Sequence, residues 1–209
     1  MLQFPPGMPA LFLLKSGSIE RDEYGQILDA RSSVTMIINE RHKIIVDSGL
    51  MGEEEPLCKA LAELGVKPEE IDCIVNTHSH PDHCGNNHLF SKAKVLTAKE
   101  GDVIAPGVWV LATPGHSMDS VSVVVEMQMK TIVISGDALP TLGNFLKRVP
   151  PALHVDCDLA VASMQKILAL ADYVVPGHDL PFSIPRRAYV PLPFRMGSCE
   201  GSAGSKLPE

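Results

Sequence analysis

The sequence of 209 residues predicts a layered α/β sandwich, and three observations lead to this fold class. Short apolar segments of strand-like composition occur in two separate runs along the chain. A segment of helical periodicity lies between the two runs, and a second helical segment comes before the last strand. The composition, 45% hydrophobic and 21% charged, supplies enough apolar material for the core of one globular domain.

The first run contains three predicted strands, Ala10 to Leu14, Val34 to Asn39 and Lys43 to Val46. The polar segment Glu40-Arg41-His42 joins the second strand to the third over a short distance. A connection of this length favours antiparallel neighbours. The chain is therefore expected to open with an antiparallel meander.

The first helix is predicted from an apolar row at helical spacing, formed by Leu57, Leu61 and Leu64. Three glutamates at positions 53 to 55 precede this row, where the helix dipole favours negative charge, and Gly65 ends it. Ile71 to Asn76 then reads as a buried strand that delivers the chain to a histidine-rich segment.

The second run contains strands that are each bounded by Gly, Pro or charged residues: Ala93 to Leu96, Val108 to Ala112, Val121 to Val125 and Thr131 to Ser135. A second helix is predicted from Asp158 onward, because the apolar residues of that segment recur on one face. Tyr173 to Val175 is the last predicted strand. The Gly- and Ser-rich residues 197–209 are expected to be disordered, which leaves residues 1–196 as a single domain.

Charge and cysteine content restrict the partners. A net charge of −7 and a pI near 5.6 disfavour binding to nucleic acid or to an anionic membrane, so a small-molecule substrate is expected. The N-terminal segment lacks the basic residues of a secretory signal, and the five cysteines form no C-x-x-C pair, so we expect a cytoplasmic protein with reduced thiols. No feature of the sequence indicates the oligomeric state.

The segment Thr77-His78-Ser79-His80-Pro81-Asp82-His83 carries the strongest chemical signal. His78 and His80 are two residues apart as the chain leaves a strand, so their side chains can point to one side, and Asp82 and His83 follow directly. Imidazole nitrogen and carboxylate oxygen are the ligands that zinc and similar ions prefer. The segment therefore predicts a metal site.

Three further residues of ligand type follow predicted strands at a distance in sequence. They are His116 in Thr113-Pro114-Gly115-His116-Ser117, Asp137 after Gly136, and His178 in Pro176-Gly177-His178-Asp179. A sheet gathers the ends of its strands along one edge, so these residues are expected to join the histidine-rich segment.

In order and spacing these motifs resemble the metallo-β-lactamase superfamily, over roughly Leu11 to Phe182. The resemblance implies a four-layer αββα sandwich with two metals between the sheet edges. It assigns His78, His80 and His116 to the first metal, Asp82, His83 and His178 to the second metal, and Asp137 as a bridge between them. Asp47, in Val46-Asp47-Ser48-Gly49, matches a motif whose carboxylate supports the ligands from behind.

The implied cofactors are two divalent ions, with zinc favoured over manganese or iron. Ions about 3.5–4 Å apart share a water, lower its pKa and present a bridging hydroxide to the substrate. Asp82 is the expected catalytic residue, since it can hold or relay the proton of that nucleophile. The loop after Asp137 is expected to lie near the metals, and two alternatives stay open for its residues. Phe145 covers an apolar group of the substrate and Lys147 or Arg148 meets an anionic one, or Phe145 packs inward and the two cations are solvated.

The leading prediction is a dinuclear hydrolase that acts on a small ester, thioester, lactone or phosphoester. Asp137 occupies a position where true β-lactamases resemble one another in having Cys or Ser, which disfavours antibiotic hydrolysis. The chain also resembles the compact proteins grouped with metallo-β-lactamase-domain-containing protein 1, so a compact ribonuclease is a second hypothesis.

Two more hypotheses concern the number and the role of the metals. In the first, the protein is a mononuclear iron dioxygenase of the persulfide type, whose single metal uses two histidines and one aspartate and would leave His83 and His178 without a metal. In the second, both metals are purely structural. The three terminal ligands at each metal disfavour a structural role, because structural zinc is normally closed by four protein ligands.

Overall fold

The computed structural model describes residues 8–39 and 42–191. The strands are Ala10–Lys15 (β1), Ser18–Arg21 (β2), Ile27–Arg31 (β3), Val34–Ile38 (β4), Lys43–Val46 (β5), Cys73–Val75 (β6), Lys94–Leu96 (β7), Val103–Ala105 (β8), Val108–Ala112 (β9), Val121–Met127 (β10), Lys130–Gly136 (β11), Tyr173–Pro176 (β12), Phe182–Ser183 (β13) and Ala188–Tyr189 (β14). The helices are Glu54–Glu63 (α1), Pro81–Cys84 (α2), Leu142–Lys147 (α3) and Cys157–Leu170 (α4). Short 3-10 helices lie at Pro68–Glu70 and Asn87–Leu89.

Two large sheets and one separate hairpin make up the β-structure. The first sheet has the order β1-β4-β5-β6-β7, and the second has the order β14-β13-β12-β11-β10-β9-β8. Strands β1, β4 and β5 are antiparallel, as the short predicted turn requires, whereas β5, β6 and β7 run parallel. Strands β2 and β3 form a two-stranded hairpin outside both sheets.

Alternating side chains of the two sheets create three apolar clusters, and these clusters define four layers. The central cluster joins the facing surfaces of both sheets, for example Val46 and Val75 with Val123 and Ile134. A second cluster packs the outer face of the first sheet against Leu57 and Leu61 of α1. The third cluster packs the outer face of the second sheet against α3 and α4, through residues that include Phe145, Met164 and Ile167. The predicted αββα sandwich is therefore confirmed.

Local sequence explains where the helices begin. Thr141 accepts a hydrogen bond from the amide of Asn144 at the start of α3, and Asp156 accepts one from the amide of Leu159 at the start of α4. Such side-chain caps satisfy amides that have no partner within the helix. Helix α1 lacks a side-chain cap but has glutamates in its first turn, as its sequence predicted.

Every strand and helix predicted from the sequence is present, with end points that differ by a few residues. The hairpin β2–β3 was not predicted, although Ile19 alternates with charged residues and Gly25 adopts the positive φ of 83° that its turn requires. Positions 40 and 41 of the predicted turn and the predicted tail at 197–209 lie outside the described residues. Within the described residues, no helix is long and apolar enough to cross a membrane.

The topology places five strand ends at one end of the sandwich. Strands β5 and β6 are parallel, and so are β11 and β12. Strand β9 points the same way as β11, because both are antiparallel to β10. The loops that follow these five strands carry the predicted site residues, and the amide of Val121 ties the two sheets together there by donating to the carbonyl of Thr77 at 2.7 Å.

Candidate metal centre

The seven predicted ligands meet at the end of the sandwich where these five loops converge. Their potential ligand atoms form three sets, in each of which all atoms lie within 4.8 Å of one another. The sets are His78, His80 and His116; His78, His83 and Asp137; and Asp82, His83 and His178. The first and last sets match the two groups that the family resemblance implied, and Asp137 belongs to the set between them.

A tightly held turn fixes the histidine-rich segment. Pro81 begins the short helix α2 with the backbone conformation that suits a first helical position, and this turn buries His83. The amide of Ser48 donates to the carbonyl of His83 at 2.7 Å, and the amide of Gly85 donates to the carbonyl of Gly49 at 2.9 Å. These bonds attach α2 to the loop after β5.

Four imidazoles are oriented by hydrogen bonds at their Nδ1 atoms. Thr77 Oγ1 lies 3.2 Å from Nδ1 of His78, and Asp47 Oδ2 lies 2.7 Å from Nδ1 of His83. Backbone carbonyls serve the other two: that of Leu153 lies 2.7 Å from Nδ1 of His116, and that of Arg31 lies 3.0 Å from Nδ1 of His178. Partners at Nδ1 leave Nε2 of each ring to face the other candidate ligands, as is usual for metal-binding histidines.

His80 differs from the other four rings because it presents Nδ1 to a neighbouring candidate ligand. Its Nδ1 atom faces inward and lies 3.0 Å from Nε2 of His116. The rings of His78, His80 and His116 meet edge to face, with centroids 4.5 to 4.8 Å apart. Three imidazole nitrogens therefore converge from three directions, which is the arrangement that a tetrahedral ion needs from three protein ligands.

Asp137 lies between the two histidine groups. Its Oδ1 atom is 3.3 Å from Nε2 of His83 and 3.1 Å from Nε2 of His178. Its Oδ2 atom is 3.4 Å from Nε2 of His116. One carboxylate thus approaches both groups, as a bridging ligand would. Asp82 completes the second group, with Oδ2 3.5 Å from Nε2 of His178.

The chemistry of the site fits metal ions. Among the described residues, Nε2 of His78, Nε2 of His83 and Oδ1 of Asp137 are buried without a partner in hydrogen-bonding geometry. Burial of such atoms without a partner costs free energy, and native proteins rarely leave it uncompensated. These three residues form one of the candidate ligand sets, so a cation bound among them would compensate all three atoms.

The pKa values of the site follow from burial and from the acidic ligands. Burial, together with the nearby His83, lowers the pKa of His78 to about 2, which keeps that ring neutral as a ligand must be. Burial alone would lower the pKa of His83, but Asp47 and Asp137 outweigh it and raise that pKa well above its usual value. Burial would also raise the pKa of Asp137, yet His178 and His83 hold it well below the usual range. The carboxylates therefore attract positive charge strongly to this place.

Asp47 supports the site from behind the ligands, as the resemblance implied for its position. It is buried at the end of β5 with a φ of 58°, a conformation that few residues other than Gly, Asn and Asp adopt. Its carboxylate accepts hydrogen bonds from the amide of Thr77 at 2.6 Å, from the hydroxyl of Thr77 at 2.8 Å and from Nδ1 of His83 at 2.7 Å. These bonds fix both the loop and the ring of His83.

Two glycines allow the sheet ends to approach each other. Gly136 has a φ of 48°, and a β-carbon there would overlap the side chain of Thr77. A β-carbon at Gly177 would overlap Oδ1 of Asp137. Both positions need a residue without a side chain, because Asp137 and Thr77 occupy that space.

A cleft of about 390 Å³ opens over the candidate ligands. Its floor contains His80, Asp82, His116, Asp137 and His178. Its walls are mostly apolar and come from the hairpin β2–β3, from the start of α2 and from three loops: Ile19, Arg21, Ile27, Ala30, Leu50, Pro81, Pro140, Pro151, Ala152 and Leu153. The hairpin therefore forms one wall of the site.

Phe145 does not line the cleft, so for the loop after Asp137 the structure supports the alternative in which this ring packs inward. This ring is only 4% exposed and stacks on Phe182 with centroids 5.6 Å apart, because it faces the outer core under α3. Lys147 and Arg148 are exposed, but neither lines the cleft. Helix α3 turns these residues away, so the hairpin takes the place that was predicted for them.

Sequence reasoning missed the backbone groups that orient two ligands. The carbonyls of Arg31 and Leu153 hold His178 and His116, yet a carbonyl is present at every position and gives no sequence signal. The hairpin residues Ile19 and Arg21 were also missed. Their alternation in a segment with a Tyr-Gly turn was a usable signal for a hairpin, although not for its position over the cleft.

Comparisons with known proteins agree with this geometry. Residues 28–106 match the family model described as the metallo-beta-lactamase superfamily. A probable metallo-hydrolase of Methanocaldococcus jannaschii is 36% identical over 65% of this chain and 70% of its own length. Human metallo-beta-lactamase domain-containing protein 1 is 32% identical over 89% of this chain and 86% of its own length. Among solved structures, Bacillus thuringiensis AiiA with N-decanoyl-L-homoserine bound at its active site gives a TM-score of 0.66 at 20% identity, over 81% of this chain and 93% of that chain.

Proposed function

This chain belongs to the metallo-β-lactamase superfamily of metal-dependent hydrolases, and we propose that it uses two divalent ions to hydrolyse a small ester, thioester, lactone or phosphoester. Zinc is the favoured metal, because five of the seven candidate ligands are imidazoles, which zinc binds well together with carboxylates.

One observation carries the dinuclear assignment. The sets His78, His80, His116 and Asp82, His83, His178 share no residue. The carboxylate of Asp137 approaches both, at 3.4 Å from His116 and 3.1 Å from His178. A mononuclear dioxygenase would need only two histidines and one aspartate, so it would give no reason for the second set.

Bound at these sets, two divalent ions would supply an activated water as nucleophile and would stabilise the negative charge that develops on the substrate. Asp82 lines the cleft, and its side chain is 20% exposed, whereas Asp137 is 11% exposed. Asp82 Oδ2 can therefore accept the proton of the attacking water and pass it to the leaving group. Asp137 and the five histidines keep the reacting atoms in place, since all but His80 are buried.

The form of the cleft supports a small substrate. A volume of about 390 Å³ lies within the range of sites for small molecules, and the walls are apolar around a polar floor. Relatives named N-acyl homoserine lactonase, from Bacillus cereus and Bacillus thuringiensis, are 30% and 27% identical to this chain. A lactone or ester with an apolar acyl group fits the same description. The compact ribonuclease stays a second candidate through the resemblance alone, and the cleft and net charge favour the small substrate over it.

Elemental analysis combined with an activity screen tests the proposal. We expect about two zinc or manganese ions per chain in the native protein and about one in His178→Ala. The native protein should hydrolyse at least one member of a panel of aryl esters, thioesters, N-acyl homoserine lactones and phosphodiesters, and His178→Ala should lose most of that activity. His88→Ala is the matched control, because His88 is 60% exposed at its side chain and belongs to none of the candidate sets.

Three different results would overturn the proposal. One iron per chain with consumption of oxygen would establish the dioxygenase instead. Cleavage of RNA by the native protein, lost in His178→Ala and without turnover of any small substrate, would establish the ribonuclease. Full activity in His178→Ala would refute the dinuclear site.

A further inference from the structure

Among the described residues that line the cleft, one cationic side chain is not a candidate metal ligand, and it is Arg21 of the hairpin. We propose that Arg21 binds a carboxylate of the substrate, so that the preferred substrate has a hydrolysable bond at the metals, an apolar body and a carboxylate at its far end. This inference rests on the proposed function and adds the substrate class to it.

The register of the hairpin places Arg21 on the face that covers the metals. Ile19 pairs with Ala30 and Arg21 pairs with Ile27, and all four residues line the cleft. Side chains of directly paired residues lie on the same face of a β-ribbon. Leu28 has no partner on the other strand, so the register shifts between these two pairs. The side chain of Leu28 is 68% exposed. This bulge brings Ile27 to the cleft face opposite Arg21.

Three of the four acids of the hairpin are directed elsewhere, and the fourth, Glu23, is an exposed turn residue that forms no ion pair within the described residues. Glu20 is adjacent to Arg21 in the strand and pairs with Asp29. Because successive side chains of a strand alternate between its faces, both carboxylates lie on the face away from the cleft. Asp22 Oδ1 accepts hydrogen bonds from the turn amides of Tyr24 at 2.9 Å and Gln26 at 2.7 Å. Within residues 8–39 and 42–191, no carboxylate forms an ion pair with Arg21.

The guanidinium is held but not neutralised. Its Nη1 donates to the carbonyl of Gly25 at 2.7 Å, which fixes one end of the group against the turn. The remaining N–H groups are available, and a guanidinium presents them in the planar pattern that matches a carboxylate. A single such group balances one negative charge, which favours a carboxylate over a doubly charged phosphate.

The other charged residues of the cleft, Asp82 and Asp137, belong to the metal-ligand sets. Their charge is directed at the ions, and the remaining walls are formed by Ile, Leu, Ala and Pro side chains. Arg21 is therefore the residue that sets the sign of charge in the part of the cleft away from the metals. An uncharged substrate of the same length would leave it without a partner.

Matched pairs of esters test this inference in the zinc-loaded full-length protein. Phenyl hexanoate and monophenyl adipate differ in that the adipate ester ends in a carboxylate. We expect kcat/KM to favour the adipate ester by about tenfold, as one charge-assisted contact predicts. Arg21→Gln should bring that ratio close to one, and Arg21→Lys should keep part of it. Lys59→Gln is the control, because Lys59 is an exposed lysine of α1 outside the cleft, and its ratio should equal that of the native protein.

Binding measurements separate this inference from the proposed function. Calorimetry with dicarboxylates from succinate to suberate, each against the monocarboxylate of equal length, needs no turnover. At least one dicarboxylate should bind the native protein about tenfold more tightly than its partner, and the advantage should vanish in Arg21→Gln. Equal binding of every pair, or an advantage that survives in Arg21→Gln, overturns the inference. Tight dicarboxylate binding without hydrolysis of any ester would overturn the proposed function alone.

Discussion

Replacing Asp47 with Asn should weaken both metal binding and the metal-free fold, because its carboxylate orients the candidate ligand His83 and accepts buried hydrogen bonds. The carboxylate accepts three buried hydrogen bonds, two from Thr77 and one from Nδ1 of His83. An Asn side-chain oxygen can still accept from the amide of Thr77, and Asn tolerates the φ of 58° at this position. The NH₂ group cannot accept the other two bonds, so donor and acceptor roles must reverse there.

The reversal acts on His83 through its tautomer. An Asn NH₂ group donates to Nδ1 of His83 only when the proton of the ring moves to Nε2, and Nε2 is the atom that faces Asp137. A protonated Nε2 cannot bind a metal. Loss of such a supporting group typically lowers metal affinity by about 10–100-fold, which is about 1.4–2.8 kcal/mol. Exchange of two charge-assisted bonds for neutral ones should cost the metal-free fold about 2 kcal/mol.

The assay is chelator competition for zinc, combined with urea unfolding of the metal-free protein. Asp102→Asn serves as control, because Asp102 is an exposed aspartate whose carboxylate accepts only from the amide of Lys99, at 2.8 Å, among the described residues. Zinc affinity equal to that of the native protein in Asp47→Asn would refute this reasoning. Asp47→Ala is less informative, because it adds the left-handed strain of about 1–2 kcal/mol and leaves buried donors without any acceptor.

Three further predictions follow from other parts of the structure. Gly177→Ala should displace Oδ1 of Asp137 and lower the zinc content below two per chain, measured by elemental analysis. Phe145→Ala should lower the free energy of unfolding by about 3–5 kcal/mol in urea titrations without changing the KM of the folded enzyme, because the ring packs in the core and not in the cleft. Asp172→Asn should reduce the loss of stability on acidification. Burial would raise the pKa of Asp172, but the amide of Thr131 and the ammonium group of Lys130 lower it. The ionised carboxylate therefore stabilises the fold above its unfolded pKa of about 3.9, and this stabilisation is lost as pH falls.

Each of these predictions has a contrary outcome. Gly143→Ala is the control for Gly177→Ala. Gly143 lies in α3, and a β-carbon added there would have Thr141 Oγ1, at 3.3 Å, as its nearest neighbour. Equal zinc loss in both variants would contradict the steric argument. A raised KM with unchanged stability in Phe145→Ala would restore the substrate role first expected for it. Identical acid unfolding of native protein and Asp172→Asn would show that the ion pair, whose carboxylate is 28% exposed, contributes nothing.

The sequence predicted the layers of the fold because its apolar periodicity is local. Leu57 and Leu61 recur at helical spacing, and the same two residues pack α1 against the outer face of the first sheet. Segments without such a regular signal were missed. Strand β8 and the short strands β13 and β14 owe their place to pairing with neighbours, which a sequence window does not contain.

The candidate ligands could likewise be found in the sequence, because each stands in a short motif that follows a strand. The structure brings His78, His116, Asp137 and His178 together as that order implied. It also corrected the wall of the cleft. Phe145 faces the core, whereas the hairpin that holds Arg21 lies over the candidate ligands.

The sequence by itself determined the order of strands and helices and the chemical types gathered at the strand ends, since both are properties of short segments. Only the tertiary structure decided which backbone carbonyls hold the imidazoles, where the hairpin β2–β3 lies, and that a bulge at Leu28 keeps Arg21 and Ile27 on one face. Those features depend on contacts between residues far apart in the chain. Such contacts form only when the sheets pack, so no local pattern of residues records them.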